Sequence, residues 1–523
     1  MALLPDNYYS TTVFSIFCFG FLLVLWRTWR FVILPTLHPD DPKELPYWIP
    51  DMESEHISLK FMLIQVLMAH SVRKHFRGSK ETYALEVMGQ TIYVVTSGRD
   101  TAEIYKNSTT MSFEIFVRKF IRSCGASDEL LDRLYGIPPV VEKLEGLPDA
   151  TSEVENKSLG DKTHDFHGMQ LFPGGHLVEF TAIFKDFFEE HLHIDRLYQG
   201  KPYVTASGNG WVSVKLMKFV SDYFVDAGQR TYFGNLLGEI EPDLIWTFLE
   251  LEDRSWQILY EIPAPFARKA HEARDGIIDA IQKWFESPRE KRVDGSWWMN
   301  TMETEMRSLG FNSREMATIV VPIYIGSNTS TRKACFWLLA FLLFNPELIP
   351  IIREETKPAL GNGAVDLDYL KNGCPQLNAV WMETLRMATS AASFRFLTED
   401  TLVGGKMLRK GNRVLVPSRQ LHYDTDAFGN DVRTFNPDRF MTGNKLRMGR
   451  NWKPFGGGKN QCPGRFVAQQ QTLLFVTLLL SQFDIEASPG QKFPRWAEGD
   501  PFPGMMPAKN GDDLEVRLTE RKR

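Results

Sequence analysis

One short segment of the chain holds a cysteine in surroundings that suit it to bind a metal. Cys462 follows three consecutive glycines, residues 456–458, and is followed by Pro463 and Gly464. Glycines can adopt positive φ and let the backbone approach a flat ligand closely. A helix is predicted over residues 463–483, and N–H groups at a helix start favour the anionic form of a cysteine. The segment therefore predicts a thiolate ligand beside a flat group that holds a metal.

The other four cysteines, Cys18, Cys124, Cys335 and Cys374, have no such neighbours. The chain contains no Cys-x-x-Cys pair, which argues against a zinc site. The odd total of five cysteines and their wide spacing argue against a disulfide framework, so we expect reduced thiols in a cytosolic compartment. The net charge of −5 gives no indication of a nucleic-acid partner.

The cysteine segment resembles the heme-binding loop of the cytochrome P450 superfamily. That loop reads Phe, two residues, Gly, three residues, Cys, one residue, Gly, and this chain has Phe455, Gly458, Cys462 and Gly464 at the matching positions. The resemblance implies heme b as the cofactor, with Cys462 as the axial ligand to its iron and the other three residues binding the heme. An axial thiolate donates electron density that favours cleavage of the O–O bond.

Two further elements match the same family in order and spacing. Glu383 and Arg386 are three residues apart, which places both side chains on one face of a helix. Downstream, residues 435–440 read Phe-Asn-Pro-Asp-Arg-Phe and resemble the family's Pro-x-Arg-Phe element, with Arg439 as its arginine. The resemblance implies a buried ion network that braces the thiolate loop, because a buried carboxylate must be paired. We expect structural roles for all three charged residues.

A second arginine is implied in cofactor binding. The resemblance places Arg395 near a heme propionate, where a guanidinium can make two contacts with a carboxylate. Family members usually have Arg or His two residues before the cysteine, whereas this chain has the uncharged Asn460. More of the propionate charge must then be balanced by Arg395 or by another cation, such as Lys453 or Lys459.

Residues 313–344 are predicted to form one long helix across the distal face of the heme. The family pattern there ends in Gly-x-Asp/Glu-Thr, and this chain has Gly326, Asn328 and Thr329. The resemblance implies that Thr329 assists oxygen activation and that Asn328 positions water. An amide cannot titrate, so the usual relay between an acid and an alcohol is incomplete. Ser327, Ser330 or water can substitute for the acid.

The asparagine leaves two reaction types open. Asn before Thr, together with Asn-Gln-Cys-Pro-Gly-Arg-Phe at the thiolate, resembles the branch with sterol 7- and 12-hydroxylases and prostacyclin synthase. We expect a monooxygenase that uses O₂, and NADPH through a reductase, to hydroxylate or otherwise oxidise a hydrophobic small molecule. Terpenoid, sterol or polyketide biosynthesis is the expected setting. The alternative is a peroxide isomerase or dehydratase of the same fold that needs no reductase.

The N-terminal segment predicts a membrane anchor. Residues 8–26 contain no charge, and about 19 residues suffice to span a hydrocarbon core as a helix. Arg27 and Arg30 follow, and positive charge prefers the cytosolic side. We expect residues 1–30 to cross the endoplasmic reticulum membrane once, with the catalytic domain cytosolic. A cleaved signal peptide is the alternative, but the basic stretch that should precede it is missing.

The rest of the chain predicts one domain that is mainly α with minor β, the cytochrome P450 fold. Five prolines within residues 31–59 are expected to end the anchor helix and stiffen a linker. Apolar residues recur at helical spacing over residues 177–194 and in much of 215–286. A hairpin is predicted over residues 82–96, and short strands over residues 398–417. We expect residues 60–523 to form a single catalytic domain.

Overall fold

The alternating apolar residues after position 82 form the hairpin that the sequence predicts. In the computed structural model, Tyr83–Val87 and Gln90–Val94 pair antiparallel, with Gly89 at positive φ in the turn. The structure describes residues 6–46, 79–136 and 157–521, apart from 88, 199, 260, 362–364, 442, 444 and 499–503. Part of the predicted linker, residues 47–59 with Pro50, lies outside these ranges, as do residues 60–78 of the predicted domain.

Helices dominate the described residues, as expected. In chain order they are α1 Asp6–Thr28, α2 Leu34–Leu37, α3 Gly98–Lys106, α4 Glu114–Ser123, α5 Asp128–Tyr135, α6 Leu159–Leu171, α7 Gly175–His191, α8 Ile194–Leu197, α9 Leu216–Phe233, α10 Leu236–Ile240, α11 Leu244–Asp253, α12 Ser255–Leu259, α13 Arg268–Glu286, α14 Trp297–Ser308, α15 Ser313–Thr329, α16 Thr331–Phe344, α17 Leu348–Thr356, α18 Leu367–Asn372, α19 Pro375–Ala388, α20 Ser418–His422, α21 Thr425–Phe428 and α22 Arg465–Gln482.

The strands among the described residues form three sheets. In chain order the strands are β1 Lys43–Glu44, β2 Tyr83–Val87, β3 Gln90–Val94, β4 Met111–Ser112, β5 Val204–Gly208, β6 Trp211–Lys215, β7 Ala392–Leu397, β8 Thr401–Val403, β9 Lys406–Leu408, β10 Arg413–Pro417, β11 Phe483–Ala487 and β12 Glu515–Glu520. The largest sheet has the order β1-β2-β3-β10-β7-β4, the second β11-β12-β6-β5, and β8 pairs with β9. The predicted strands near residues 398–417 are therefore β8, β9 and β10.

The core lies among the long helices. Helices α7, α9, α16 and α22 pack against one another. Rings from α7 and α9 surround Phe475 of α22, and the Phe224 ring centroid is 5.2 Å from it. Aromatic pairs at this separation add to the free energy of simple apolar burial. This aromatic cluster holds α22 in place. Helix α22 begins at Arg465, three residues after Cys462.

The predicted long helix over residues 313–344 is two helices, α15 and α16, separated at Ser330. The Asn328 amide and the Thr329 hydroxyl donate to the carbonyl oxygens of residues 324 and 325, four positions back. Such side-chain bonds compete with the backbone ladder and bend helices. The expectation of one continuous helix was therefore wrong at this point, because three consecutive polar side chains bond to the helix itself.

The N-terminal helix also continues further than expected. After α1, a π-helical turn over Trp29–Ile33 leads into α2, and Pro35 lies in the first turn of α2. The N–H of Leu34 donates to the carbonyl of Trp29, five residues back. This wider turn accommodates a proline, which has no N–H to donate. The helix therefore ends at Leu37 and not before the first proline.

Candidate active site

A cavity of about 490 Å³ lies between the cysteine loop and the broken distal helix. Its walls come from the loop around Cys462, the start of α22, the α15–α16 junction, β7 and the loop at Gly504. Aromatic side chains, among them Phe113 and Phe394, make up much of the remaining wall. A cavity of this size suits a large, mostly apolar ligand.

The cysteine loop is closed by its own backbone. The Cys462 N–H donates to the Phe455 carbonyl at 3.0 Å, and both residues line the cavity, as does Gly464. Gly458 has φ of +71°, and a side chain there would collide with the carbonyl of Tyr105. Gly458 therefore lies against α3 rather than in the cavity wall. Three of the four predicted loop residues line the cavity, and the fourth shapes the turn.

The Cys462 thiol is exposed to the cavity while protein surrounds it. Burial raises the pKa of this thiol, and the Gly464 N–H and the charge of Arg465 oppose that rise. The helix-start amides thus act in the expected direction, but burial has the larger effect. A bound metal cation would supply the missing stabilisation of the thiolate, since metal binding releases the thiol proton.

The donor set indicates how a metal would be held. Within the part of the chain that the structure describes, no group of three or more His, Cys, Asp or Glu side chains could hold a metal ion. A metal bound to Cys462 therefore needs its other ligands from a cofactor. A heme supplies four nitrogen ligands and is flat, and the cavity offers one thiol, glycine backbone and apolar walls. These residues fit a heme with a thiolate ligand.

The predicted ion network is present and buried. Arg386 donates to both carboxylate oxygens of Glu383 at 2.7 Å, and both residues are fully buried. Arg439 lies 3.4 Å from the same carboxylate and also pairs with Asp431 at 2.5 Å. The Asn436 N–H donates to Glu383 as well. These partners satisfy a buried carboxylate that would otherwise be costly.

The network reaches the cysteine loop through a residue that the sequence did not single out. His422 is fully buried, and its Nδ1 lies 3.0 Å from the Arg386 carbonyl. Its Nε2 accepts the N–H of Lys453 at 2.9 Å. Burial and the neighbouring Arg386 lower the pKa of His422 to about 3, so the ring is neutral. No local sequence signal marks this histidine, because its partners are 36 and 31 residues away.

Arg395 lies in the cavity wall on β7. It is 5% exposed, donates to the Phe394 carbonyl at 2.7 Å, and stacks 4.8 Å from the Phe113 ring centroid. Burial lowers its pKa, which nonetheless leaves a guanidinium charged at neutral pH. Asn460 also lines the cavity, whereas Lys459 is exposed. Arg395 is thus a permanent cation placed where an anionic group of a ligand could pair with it.

The distal residues divide between the cavity and the helix interior. Gly326, Ser327, Asn328 and Ser330 line the cavity. Thr329 does not: it is buried, and its hydroxyl donates to the Ile325 carbonyl at 2.8 Å. Ser330, at the helix break, makes no side-chain hydrogen bond to the described residues and lies against Gly504. Asn328 and Ser330 thus line the cavity, whereas the Thr329 hydroxyl is bonded to the helix backbone.

Three histidines and two methionines near the cavity differ in whether they line it. His164 lines it, whereas His167 is buried against Trp298 and His176 stacks on Trp297. Met505, in the loop near the C-terminus, lines the cavity. The neighbouring Met506 does not, and its carbonyl accepts the indole N–H of Trp337 at 2.6 Å.

A mainly helical fold with one thiol opposite a broken helix defines a class, the heme-thiolate enzymes. The Cytochrome P450 family matches this sequence over residues 180–512, which is more than half of the chain. The chain belongs to the cytochrome P450 family, and it is an oxidoreductase of the monooxygenase type with heme iron as cofactor.

Individual relatives agree with the family. Cytochrome P450 monooxygenase poxD of Penicillium oxalicum is 25% identical over 485 residues, covering 89% of this chain and 91% of that protein. The bifunctional cytochrome P450/NADPH–P450 reductase of Fusarium oxysporum is 32% identical over 171 residues, covering 32% of this chain and 16% of that protein. The retinoic acid-bound cyanobacterial CYP120A1 structure has a TM-score of 0.64 at 16% identity, covering 86% of this chain and 94% of that one. The last comparison confirms the predicted fold.

Proposed function

We propose that this monooxygenase oxidises a hydrophobic small molecule with O₂ and with electrons from an NADPH-dependent reductase. One observation carries the proposal: Cys462 and the broken distal helix at Asn328 and Ser330 line a single, largely apolar cavity. Heme iron with a thiolate ligand supplies the cleavage of O₂ when it is bound. The relative that joins a P450 to a reductase in one chain supports this electron source.

The loop residues have distinct proposed roles. Cys462 would hold the heme iron through its sulfur, and Phe455 and Gly464 would form the loop wall against which the heme binds. Arg395 pairs with a propionate, because it is a buried cation on β7 in the cavity wall. Gly458 keeps the turn tight against Tyr105. The geometry of the loop supports each role.

On the distal side, we propose that Ser330 relays protons through water and that Asn328, whose amide cannot titrate, helps to position that water. Ser330 lines the cavity, and its Oγ lies beside Gly504, another residue of the wall, where it can hold a water. The Asn328 Nδ2 is engaged with the Tyr324 carbonyl at 2.9 Å, while its Oδ1 lies buried against Gly228 and is an acceptor without a partner among the described residues. Thr329 contributes indirectly, because its bond to the backbone helps to open the helix at Ser330.

The substrate class follows from the walls of the cavity. Phe116, Phe394 and Met505 supply apolar surface, and carboxylates are absent from the described wall. An apolar molecule such as a terpenoid, a sterol or a polyketide suits these walls. The fungal monooxygenases among the relatives support a place in specialised biosynthesis.

A peroxide isomerase or dehydratase is the second candidate. It is favoured by one observation: Asn328 replaces the acid that would deliver protons, and the described cavity wall offers no carboxylate in exchange. Such an enzyme rearranges a bound peroxide and needs neither O₂ nor a reductase. The two candidates therefore differ in what must be supplied for turnover.

Turnover with defined electron sources distinguishes the candidates. The full chain is combined with an NADPH–P450 reductase and apolar extracts, and products are analysed by mass. The proposal expects products that have gained one oxygen atom and that require NADPH, O₂ and the reductase together. Conversion of a lipid hydroperoxide without change in mass, at equal rate when NADPH is omitted, would overturn it in favour of the isomerase.

We also propose a single-pass anchor at the endoplasmic reticulum membrane, followed by a linker over residues 31–59 and a cytosolic catalytic domain over residues 60–523. Val13–Leu37 is the one helix among the described residues that is long and apolar enough to cross a membrane, and none of it is buried. Arg30, four residues after the uncharged stretch of residues 8–26, pairs with Glu44 at 2.9 Å. A charged pair at this point fits the cytosolic end of an anchor.

A further inference from the structure

His422 lies between two elements of the candidate site and forms hydrogen bonds to both. One is the buried pair of Glu383 and Arg386 on α19, and the other is the loop that leads to Cys462. Arg386 donates to the His422 carbonyl at 3.0 Å, and the His422 ring faces back to the Arg386 carbonyl at the same distance. Two bonds between the same two residues hold the imidazole ring in one orientation.

The hydrogen bonds also fix the tautomer of His422. A backbone N–H can only donate, so Nε2, which meets the Lys453 N–H, must be the acceptor. Nδ1 therefore bears the proton and donates it to the Arg386 carbonyl. A neutral ring with this tautomer satisfies both partners, which is the arrangement expected of a buried histidine.

Backbone hydrogen bonds connect Lys453 to the loop that holds Cys462. The Lys453 carbonyl accepts the Gly456 N–H at 3.2 Å and closes a turn. Phe455, inside that turn, accepts the Cys462 N–H at 3.0 Å. The Lys453 peptide is thus held at its N–H by His422 and at its carbonyl by the loop. A shift of this peptide would move the acceptor that positions the cysteine backbone.

We propose that His422 is a positioning residue that holds the Cys462 loop in register with the Glu383–Arg386 pair through the Lys453 peptide. It contacts neither the cavity nor the cysteine, and it acts through backbone bonds. The inference rests on the proposed role of Cys462 as heme ligand.

Two variants separate this role from general packing. The side-chain amide of glutamine reaches the position of Nε2, so His422→Gln can still accept the Lys453 N–H. The amide of asparagine reaches only the position of Nδ1, so His422→Asn keeps the Arg386 bond and leaves the Lys453 N–H buried without a partner. A buried donor without a partner is the costly outcome. The same pair of substitutions at His167, a buried histidine that bonds within its own helix, serves as the control.

The readout is the reduced carbon-monoxide spectrum of the full-length heme-loaded enzyme, which reports thiolate against neutral-thiol ligation. We expect His422→Asn to raise the ratio of thiol-ligated to thiolate-ligated heme about tenfold, and His422→Gln to stay near the wild-type ratio. The His167 variants should not differ from each other. Equal spectra for the two His422 variants, both intact or both lost, or the reverse order, would overturn the inference. A wild type without the thiolate spectrum would instead overturn the proposed role of Cys462.

Discussion

At the scale of single residues, the site depends on a few positions that tolerate only one side chain. Cys462 provides the sulfur, and Gly458 combines a positive φ with close contact to a neighbouring backbone carbonyl. Arg395 and His422 are buried polar groups with defined partners. Replacing any of them should change the loop or its charge balance rather than the overall fold.

Gly458→Ala should destabilise the protein by more than the cost of placing alanine at a positive φ, because the new side chain would also collide with Tyr105. Gly411 has a similar φ of +83° but open space around it, so Gly411→Ala serves as a matched control. Positive φ costs a non-glycine residue about 1–2 kcal/mol, which both variants share. Overlap with Tyr105 should add on the order of 1–3 kcal/mol at Gly458 only. Urea unfolding and heme content test this, and equal losses in the two variants would contradict the geometry.

The buried His167 makes the free energy of unfolding depend on pH. Burial lowers its pKa from 6.5 to about 4, so the unfolded chain binds its proton more readily than the folded one. The contribution of His167 to the free energy of unfolding has its full value above pH 6.5 and declines as the pH falls toward 4. The full loss is roughly 3 kcal/mol at about 1.4 kcal/mol for each pKa unit. Unfolding curves between pH 7 and 4 should show a shallower decline for His167→Gln, and an unchanged decline would exclude this histidine as the cause.

At the scale of elements, the sequence predicted what spacing alone can specify. The Glu383–Arg386 pair was found because residues three apart share a helical face, and the hairpin before α3 because its residues alternate. The orientation of Thr329 and Ser330 could not be predicted, since that inference assumed an unbroken helix. Three side-chain bonds to the backbone break it, and they place Ser330 on the cavity side. His422 was missed because its contacts join distant parts of the chain.

The helix break predicts which hydroxyl matters for turnover. Ser330→Ala removes a hydroxyl at the cavity wall, while Thr329→Val removes one that is bonded to the helix backbone. We expect Ser330→Ala to lower the product formed per NADPH consumed by at least about tenfold, less than the roughly 10²–10⁴-fold of a full general acid–base contribution because water can replace part of the hydroxyl's role. Thr329→Val should cause the smaller loss. Parallel measurement of NADPH consumption and product tests the order, and the opposite order would return the role to Thr329.

At the scale of the whole molecule, the N-terminal helix is connected to the catalytic domain by specific bonds. The segment after Leu37 accepts hydrogen bonds from the β8–β9 hairpin, including one from the Met407 N–H to the Asp40 carbonyl at 2.7 Å. Lys406 donates to the Pro39 carbonyl, and Arg409 pairs with Asp41 at 2.9 Å. These contacts hold the described part of the linker against the sheet, so an anchored helix would fix how the domain faces a membrane.

Removal of residues 1–37 should convert the protein from an integral to an extractable one. The full chain should resist alkaline carbonate extraction from membranes, since a span of about 20 apolar residues inserts stably. The truncated chain should be released. Phe266→Asp, which changes an 82% exposed apolar side chain outside the helix, is the control and should stay integral. A truncated chain that remained resistant would show that another surface holds the protein in the membrane.

The central claim is that the Cys462 sulfur ligates heme iron, and one spectrum tests it most directly. The reduced carbon-monoxide spectrum of the purified full chain should show thiolate ligation, and Cys462→Ala should lose that signature completely. Replacement of Cys374, a buried thiol far along the chain from the loop, by alanine should leave the signature in place. A Cys462→Ala protein with the wild-type thiolate spectrum would contradict the account.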